Sequence, residues 1–371
     1  MAQPDATQLS SSVYQSREQR VITGPGSARH ALAEELSALG ANRVLLIAGD
    51  AELLMAQDVC QGIDLVGTFS AIRPHVPIET ADAARAMART TGADVLLTVG
   101  GGSTTGTGKA VALTERLPLV AVPTTYAGSE ATDVWGVTEG NRKSTGTDRA
   151  VLPKVVFYDP VLTLSLPPAL TVSSGLNALA HCVDSLWAPA TNPPSTAAAV
   201  EGIRLLGSAL PAVLARPDDL TARQQCLWGT YLAAVAFSGA GSGLHHKICH
   251  VLGGAYGLEH ASMHAVVLPH VLGFNGPAAP EAMARIASAL AEGGVGDGRD
   301  ALAALLDLYR VLGAPRSLAE LGLLAEQVTE AAGLAFERVP SGNPRPVSIT
   351  DLIALLTRAH VGEPAVTVPV A

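Results

Sequence analysis

Aromatic residues make up only 4% of this 371-residue chain, charged residues only 15%, and there are four cysteines. Cys60, Cys182, Cys226 and Cys249 are scattered without paired spacing. Neither a disulfide framework nor a cysteine-based zinc knuckle is therefore expected, and a reducing, cytoplasmic setting fits. Long apolar runs are also missing. The most apolar stretches, such as Val95–Val99 and Leu117–Val122, fall far short of the roughly 20 residues a bilayer requires. Met1–Gln19 has no apolar segment of the kind a secretory leader needs and reads as a flexible tail. Basic residues are outnumbered, 24 Lys and Arg against 33 Asp and Glu, for a net charge of −9. Neither nucleic acid nor an anionic membrane is expected as a partner, whereas a small anion needs only one local basic pocket. The chain is rich in apolar residues, at 48%. That excludes a core-poor disordered chain and suits one large or two medium domains.

Short apolar runs alternate with helical ones in the first half. Arg43–Ile47, Leu65–Phe69, Asp94–Val99, Leu117–Val122 and Val155–Tyr158 read as strands, with helices near 28–39, 80–91 and 104–115. Nearly continuous apolar strands separated by helices predict a parallel sheet covered on both faces. From about Leu170 helical spacing takes over, at 171–187, 195–215, 220–238, 243–252, 280–292, 299–312, 317–333 and 349–360. The expected organisation is an α/β, Rossmann-like dinucleotide-binding domain over 1–168 and an all-α catalytic domain over 169–371. Pro167-Pro168 marks the junction, since a prolyl pair stops an element.

Gly100-Gly101-Gly102-Ser103 follows one of these strands directly and opens a helix. Glycines admit a pyrophosphate close to the backbone, and a helix N-terminus offers unpaired N–H groups and the positive end of its dipole. Ser103 could cap that helix. Thr124 and Thr125 stand at the end of the next strand, on the edge where open α/β sheets bind ligands. Asp50 follows the strand Arg43–Ile47 and is either a ribose acceptor or a turn residue.

Seven of the ten histidines fall between His181 and His270. Asn177 and His181 are four apart on one predicted helix, as are His246 and His250 on another, so each pair shares a face. His260 follows past a glycine-rich bend, and His245, Lys247, His264 and His270 lie around them. Imidazoles from two helices and a loop suit a divalent metal, and equally an acid–base or oxyanion site without one. A labile iron or zinc site built on histidine usually includes a carboxylate. One turn before His181 stands Asn177, which is neutral, so the residue types favour a site that does not require metal.

These motifs resemble the iron-containing alcohol dehydrogenase superfamily, and within it the maleylacetate reductases. GGGSTTGTGK (Gly100–Lys109) matches the superfamily's glycine loop, with Gly106 where most members have Asp. GLNALAH (Gly175–His181) matches its metal helix, with Asn177 for Asp. PTTYAGSE (Pro123–Glu130), GLHHKICHVLGG (Gly243–Gly254) and NPRPV (Asn343–Val347) complete the likeness. The resemblance implies the iron-containing alcohol dehydrogenase/dehydroquinate synthase-like fold and a homodimer. It implies NADH- or NADPH-dependent reduction of the enone C=C of maleylacetate, a small dicarboxylate, to 3-oxoadipate during aromatic-compound degradation. The alternative is a metal-dependent alcohol or aldehyde oxidoreductase of the same superfamily.

By the same resemblance Gly101, Gly102 and Ser103 hold the pyrophosphate. Thr124, Thr125, Lys143 and Leu162 contact the cofactor, and Asp50 faces the adenosine ribose. Any metal would use His181, His246 and His260, at the Asn177 site, with His250 deeper beside the nicotinamide. In the metal-free reading His246 and His260 act as electrophilic or proton-donating groups and His181 and Asn177 as orienting donors. His245, Lys247 and Tyr126 are then substrate contacts. Imidazolium near its ordinary pKa of about 6.5 is the expected proton source.

Overall fold

The computed structural model describes residues 14–140 and 142–370, without the side chains of Arg142 and Lys143. Its first half runs β1 (Arg20–Thr23), α1 (Ser27–Ala38), β2 (Val44–Ile47), α2 (Leu53–Val59), β3 (Leu65–Phe69), α3 (Ile78–Thr91), β4 (Val95–Gly100), α4 (Gly102–Glu115) and β5 (Leu119–Pro123). A hairpin, β6 (Val134–Glu139) and β7 (Arg142–Thr147), precedes β8 (Val155–Tyr158). The six-stranded sheet has the order β1-β8-β5-β4-β2-β3, with every pair parallel. Apolar side chains bury both faces. One face packs Leu46, Leu97, Val99 and Phe157 under α1 and α2; the other packs Leu45, Ile47, Leu96 and Leu119 under α3 and α4. Gly108 permits that second packing, because a Cβ there would lie 2.4 Å from Thr98 Cγ2.

The second half is helical: α5 (Pro168–Ser185), α6 (Pro193–Ala215), α7 (Leu220–Ala240), α8 (Leu244–Tyr256), α9 (His260–Asn275), α10 (Pro280–Glu292), α11 (Ala301–Leu312), α12 (Val328–Phe336) and α13 (Ile349–Val361). Among the described residues α6 alone is long and apolar enough to cross a bilayer. It instead buries Ile203, Leu206 and Leu210 in the core shared with α5, α7, α10 and α11. Gly202 keeps it tight against α5, since a Cβ would meet Cys182 Sγ at 2.6 Å.

The five strands expected from apolar runs are present, and several further elements depart from the expectation. β1 is an edge strand whose Arg20 and Thr23 are exposed, so it offers no apolar run. In the hairpin β7 is polar, and the two strands carry Gly136 and Gly146. The short α2 follows β2 directly. α9, expected as a loop around His260, is buried on nearly every side from Met263 to Asn275 and contains Pro269, so it has no amphipathic period to read. The helix expected over 317–333 is a run of turns, one 3₁₀ turn and then α12.

The N-terminal segment also departs from the expectation. Met1–Val13 lie outside the described residues, but Arg17 and Gln19 are tied down rather than loose. Gln19 donates to the carbonyls of Glu130 (2.8 Å) and Pro153 (2.9 Å), and Arg17 pairs with Asp133 at 2.8 Å.

Candidate active site

β4 ends at Gly100, whose φ of 151° suits glycine, and α4 begins two residues later with Gly101 as its cap. No side chain caps this helix. Ser103, expected there, lies inside the first turn, so the first N–H groups keep their donors for a ligand. A Cβ would stand 3.0 Å from Thr125 Cγ2 at Gly101 and 3.2 Å from Ala127 Cβ at Gly102. The backbone is thus bare where it borders a cleft of about 600 Å³. Gly101, Gly102, Ser103 and Thr125 line it, together with Ser174, Asn177 and His260. A bare helix N-terminus in a cleft of this size fits a dinucleotide's pyrophosphate.

Three other residues expected at the cofactor stand elsewhere. Thr124 is buried behind the wall, its N–H bonded to the Gly100 carbonyl at 3.1 Å. Leu162 packs against the sheet core. Asp50 is exposed in the turn after β2, and Glu52, two residues on, lines the cleft instead. Burial pushes the Glu52 carboxyl above its usual range. The side chain of Lys143, on β7, lies outside the described residues.

A second cavity of about 400 Å³ adjoins the first. His181 of α5, and His246, Lys247 and His250 of α8, line it together with Arg17, under a roof of the β6–β7 hairpin. His260 lines both cavities, as do Ala127, Ser129 and Gly136. His260 owes its place to a tight corner. Gly257, at φ 66°, ends α8, and Glu259 caps α9 by accepting from the N–H groups of Ala261 (3.0 Å) and Ser262 (2.7 Å).

Asp184 organises the histidine wall. It is one turn after His181 on α5 and wholly buried. Its Oδ2 accepts from the Gly243 N–H at 2.8 Å and lies 2.7 Å from His246 Nδ1. A carboxylate at the start of α8 also benefits from the helix dipole. Gly243 makes room for it, because a Cβ there would lie 2.4 Å from Asp184 Oδ1. His246 Nε2 in turn lies 2.7 Å from His181 Nδ1, and His181 Nε2 lies 3.5 Å from Asn177 Nδ2. With neutral rings, one assignment satisfies the whole chain. Asn177 donates to His181, His181 Nδ1–H donates to His246, and His246 Nδ1–H donates to Asp184. The Phe237 ring packs against both imidazoles, 4.7 Å and 4.6 Å between centroids.

A second layer lies behind this wall. His245 Nε2 is 3.0 Å from His264 Nδ1, and both residues are wholly buried. His245, expected at the substrate, lines neither cavity. Tyr126, expected there as well, is buried in the helical core, its hydroxyl 3.5 Å from Thr163 Oγ1 and from Arg223 Nη1. Burial, the largest influence, holds His181, His245, His246 and His264 well below the ordinary histidine value. The expected imidazolium is therefore absent at these four positions near neutral pH. His246, which lines the cavity, has both ring nitrogens engaged, with Asp184 and with His181.

Residues 18–160 match the iron-containing alcohol dehydrogenase family, and residues 171–360 match the C-terminal part of the Fe-containing alcohol dehydrogenase family. The chain belongs to the iron-containing alcohol dehydrogenase family. It is 45% identical over 357 residues to a maleylacetate reductase of Sphingobium indicum, covering 96% of this chain and 99% of that one. Its fold superposes with a TM-score of 0.92 on an iron-containing alcohol dehydrogenase from Corynebacterium glutamicum, at 47% identity, covering 96% of this chain and 98% of that one. A maleylacetate reductase from Agrobacterium tumefaciens gives a TM-score of 0.88 at 40% identity, covering 96% and 100%.

The family's name implies iron, and the donor set here does not fit such an ion. His181 and His246 spend a nitrogen each on one another, and Asn177 supplies no charge. The buried carboxylate, Asp184, lies on the far nitrogen of His246. The His181–His246–His260 trio is also not the tightest. Nitrogens of His245, His246 and His264 lie within 4.8 Å of one another, again without a carboxylate.

Lys109, the last residue of the family's glycine motif, is a clamp. Its buried ammonium donates to Thr132 O (2.8 Å), Thr132 Oγ1 (3.0 Å) and Val134 O (2.8 Å). It thereby fixes the strip that carries Asp133 and Trp135 along the histidine cavity. Burial pushes its pKa down to about 7. Asp184 and Arg17 were not expected from the sequence. The first has a local signal, an acid one turn after His181 on the side away from Asn177. The second has none, because Arg17 and Asp133 are 116 residues apart.

Proposed function

We propose that this chain reduces the carbon–carbon double bond of maleylacetate to give 3-oxoadipate, with NADH or NADPH as reductant. One observation carries the reading. His260 stands in the wall common to a glycine-lined cleft and a cavity lined, among the described residues, by the cations Arg17 and Lys247. That is a seat for an anionic substrate beside a seat for a dinucleotide. The relatives named maleylacetate reductase, at full-length coverage, support the same chemistry.

Gly101, Gly102 and the first N–H groups of α4 would hold the pyrophosphate, with Thr125 beside it. When bound, the dihydronicotinamide supplies a hydride. Reduction of an enone places that hydride on the alkene carbon β to the ketone, and a proton completes the α carbon. Between these events negative charge rests on the ketone oxygen, so the protein must aim N–H donors there. His260 occupies the junction where that oxygen and carbon must lie, and Lys247 and His250 extend the wall. Asp184 and His246 fix the tautomer and orientation of His181. Enone reduction spreads the charge over oxygen and carbon, and hydrogen bonds suffice to stabilise it. The reaction therefore does not require metal, in keeping with a donor set unsuited to iron.

The test is oxidation of NADH and of NADPH by the purified protein with maleylacetate, and separately with simple aldehydes. Maleylacetate-dependent oxidation yielding 3-oxoadipate is expected. Turnover of aldehydes alone would replace this reading with an alcohol dehydrogenase.

A further inference from the structure

We infer that Arg17 binds the carboxylate on the ketone side of the substrate, and so selects dianionic over monoanionic enones; this rests on the reduction proposed above. Arg17 lies in the segment before β1 and reaches across to the histidine cavity. Its Nε donates to Asp133 Oδ2 at 2.8 Å and its Nη2 to Ser238 O at 3.1 Å, while Ser238 Oγ donates to Asp133 Oδ1 at 3.2 Å. Asp133 is 5% exposed, and the Arg17 side chain retains 28%. A guanidinium has five N–H donors in one plane. Among the described residues these two bonds fix the plane and leave three donors, on a group that lines the cavity. A merely structural arginine buried to this degree has no need to face a cavity with donors to spare.

Position selects the carboxylate. Arg17 lines the histidine cavity and not the cofactor cleft. The hydride-accepting carbon belongs at the shared wall near His260, and the carboxylate attached to it stays there. The other carboxylate lies beyond the ketone and one methylene, furthest from the cleft, on the side where Arg17 stands. Asp133 sharpens the effect: without Arg17 its buried carboxylate would repel the dianion.

The experiment compares maleylacetate with cis-4-oxopent-2-enoate, which keeps the enone and one carboxylate but lacks the ketone-side one. Wild type should prefer the dianion in kcat/KM. Arg17→Gln should raise KM for maleylacetate by about tenfold to a hundredfold, the worth of a charge-assisted hydrogen bond, and collapse the preference, with KM for NADH unmoved. Arg17→Lys should keep part of the preference. The double variant Arg17→Gln/Asp133→Asn removes the repelling carboxylate and should still discriminate poorly. The inference is overturned if Arg17→Gln loses both substrates equally, or if the double variant regains the preference. It is also overturned if wild type turns over both enones alike, which leaves the reduction itself standing. Wild type that reduces neither enone refutes the proposed function, and the inference with it.

Discussion

The two cavities that meet at His260 are built in opposite ways. The cleft over α4 is defined by what its residues leave out: glycines bare the backbone, and the donors it offers are N–H groups that no side chain can remove. The histidine cavity is defined by what its residues contribute. Its wall is a relay of side chains, from Asn177 to His181 to His246 to Asp184, in which each ring is held by the next. A backbone site should therefore fail when a side chain is added and tolerate polar changes nearby. A side-chain site should fail when one atom changes character without any change in volume.

Gly102→Val tests the first half of that contrast and should have the largest effect. Its γ-methyls would occupy the pyrophosphate's place, and the Cβ already meets Ala127 at 3.2 Å. NADH affinity by fluorescence titration should fall by about a hundredfold or more, the loss of several charge-assisted bonds, while circular dichroism stays native. Unchanged affinity would move the cofactor off this loop.

Asp184→Asn tests the second half. The change is isosteric, but both Asp184 oxygens accept, Oδ2 from Gly243 and His246 and Oδ1 from Trp187 Nε1 at 3.1 Å, so an amide, which turns one acceptor into a donor, must lose the bonds on one side. A kcat loss of about tenfold to a hundredfold is expected, on the scale of a buried charged hydrogen bond, with KM for NADH unchanged and a lower Tm. A kcat equal to wild type would show that the relay has no part in turnover.

Stability against pH probes the same wall. The unfolded chain protonates its histidines near pH 6.5. The folded chain holds His181, His245, His246 and His264 neutral well below that value, and His270 down to about 4. Stability from this source is complete above about pH 6.5 and is lost as pH falls through the window below it. Each such group costs about 1.4 kcal/mol per pH unit there. Urea midpoints at pH 8 and pH 5 should differ sharply, and His264→Asn should flatten the slope. A midpoint independent of pH would mean that these rings are solvated.

Tyr126→Phe should have the smallest effect. The residue lines neither cavity, and its hydroxyl contacts are long, at 3.5 Å. Steady-state constants within about twofold of wild type and a stability loss under about 1 kcal/mol are expected. A large KM change for maleylacetate would return Tyr126 to the substrate.

The same contrast explains what could be read from sequence. The strand, glycine turn and helix around Gly100–Lys109 are a local arrangement, so the letters in order carried the geometry. The histidine spacings put His181 and His246 on helix faces. The partners that give them roles are remote: Asp184 meets His246 across 62 residues, and Arg17 meets Asp133 across 116. Burial decided the rest. It turned expected imidazoliums into neutral rings and placed Tyr126 and His245 outside the lining of either cavity, and neither result follows from spacing. β1, the hairpin and α9 escaped for a related reason, since an edge strand and an all-round buried helix lack the alternation that marks ordinary elements.

The central claim is that hydrogen bonds in the histidine cavity, without a metal, carry the reduction of a dianionic enone. It is tested most directly by measuring maleylacetate-dependent NADH oxidation on chelator-treated protein whose iron and zinc content is determined by mass spectrometry. The account predicts undiminished turnover at metal levels far below one ion per chain, and no gain on adding Fe²⁺ or Zn²⁺. Activity that vanishes on chelation and returns in proportion to added metal would contradict it.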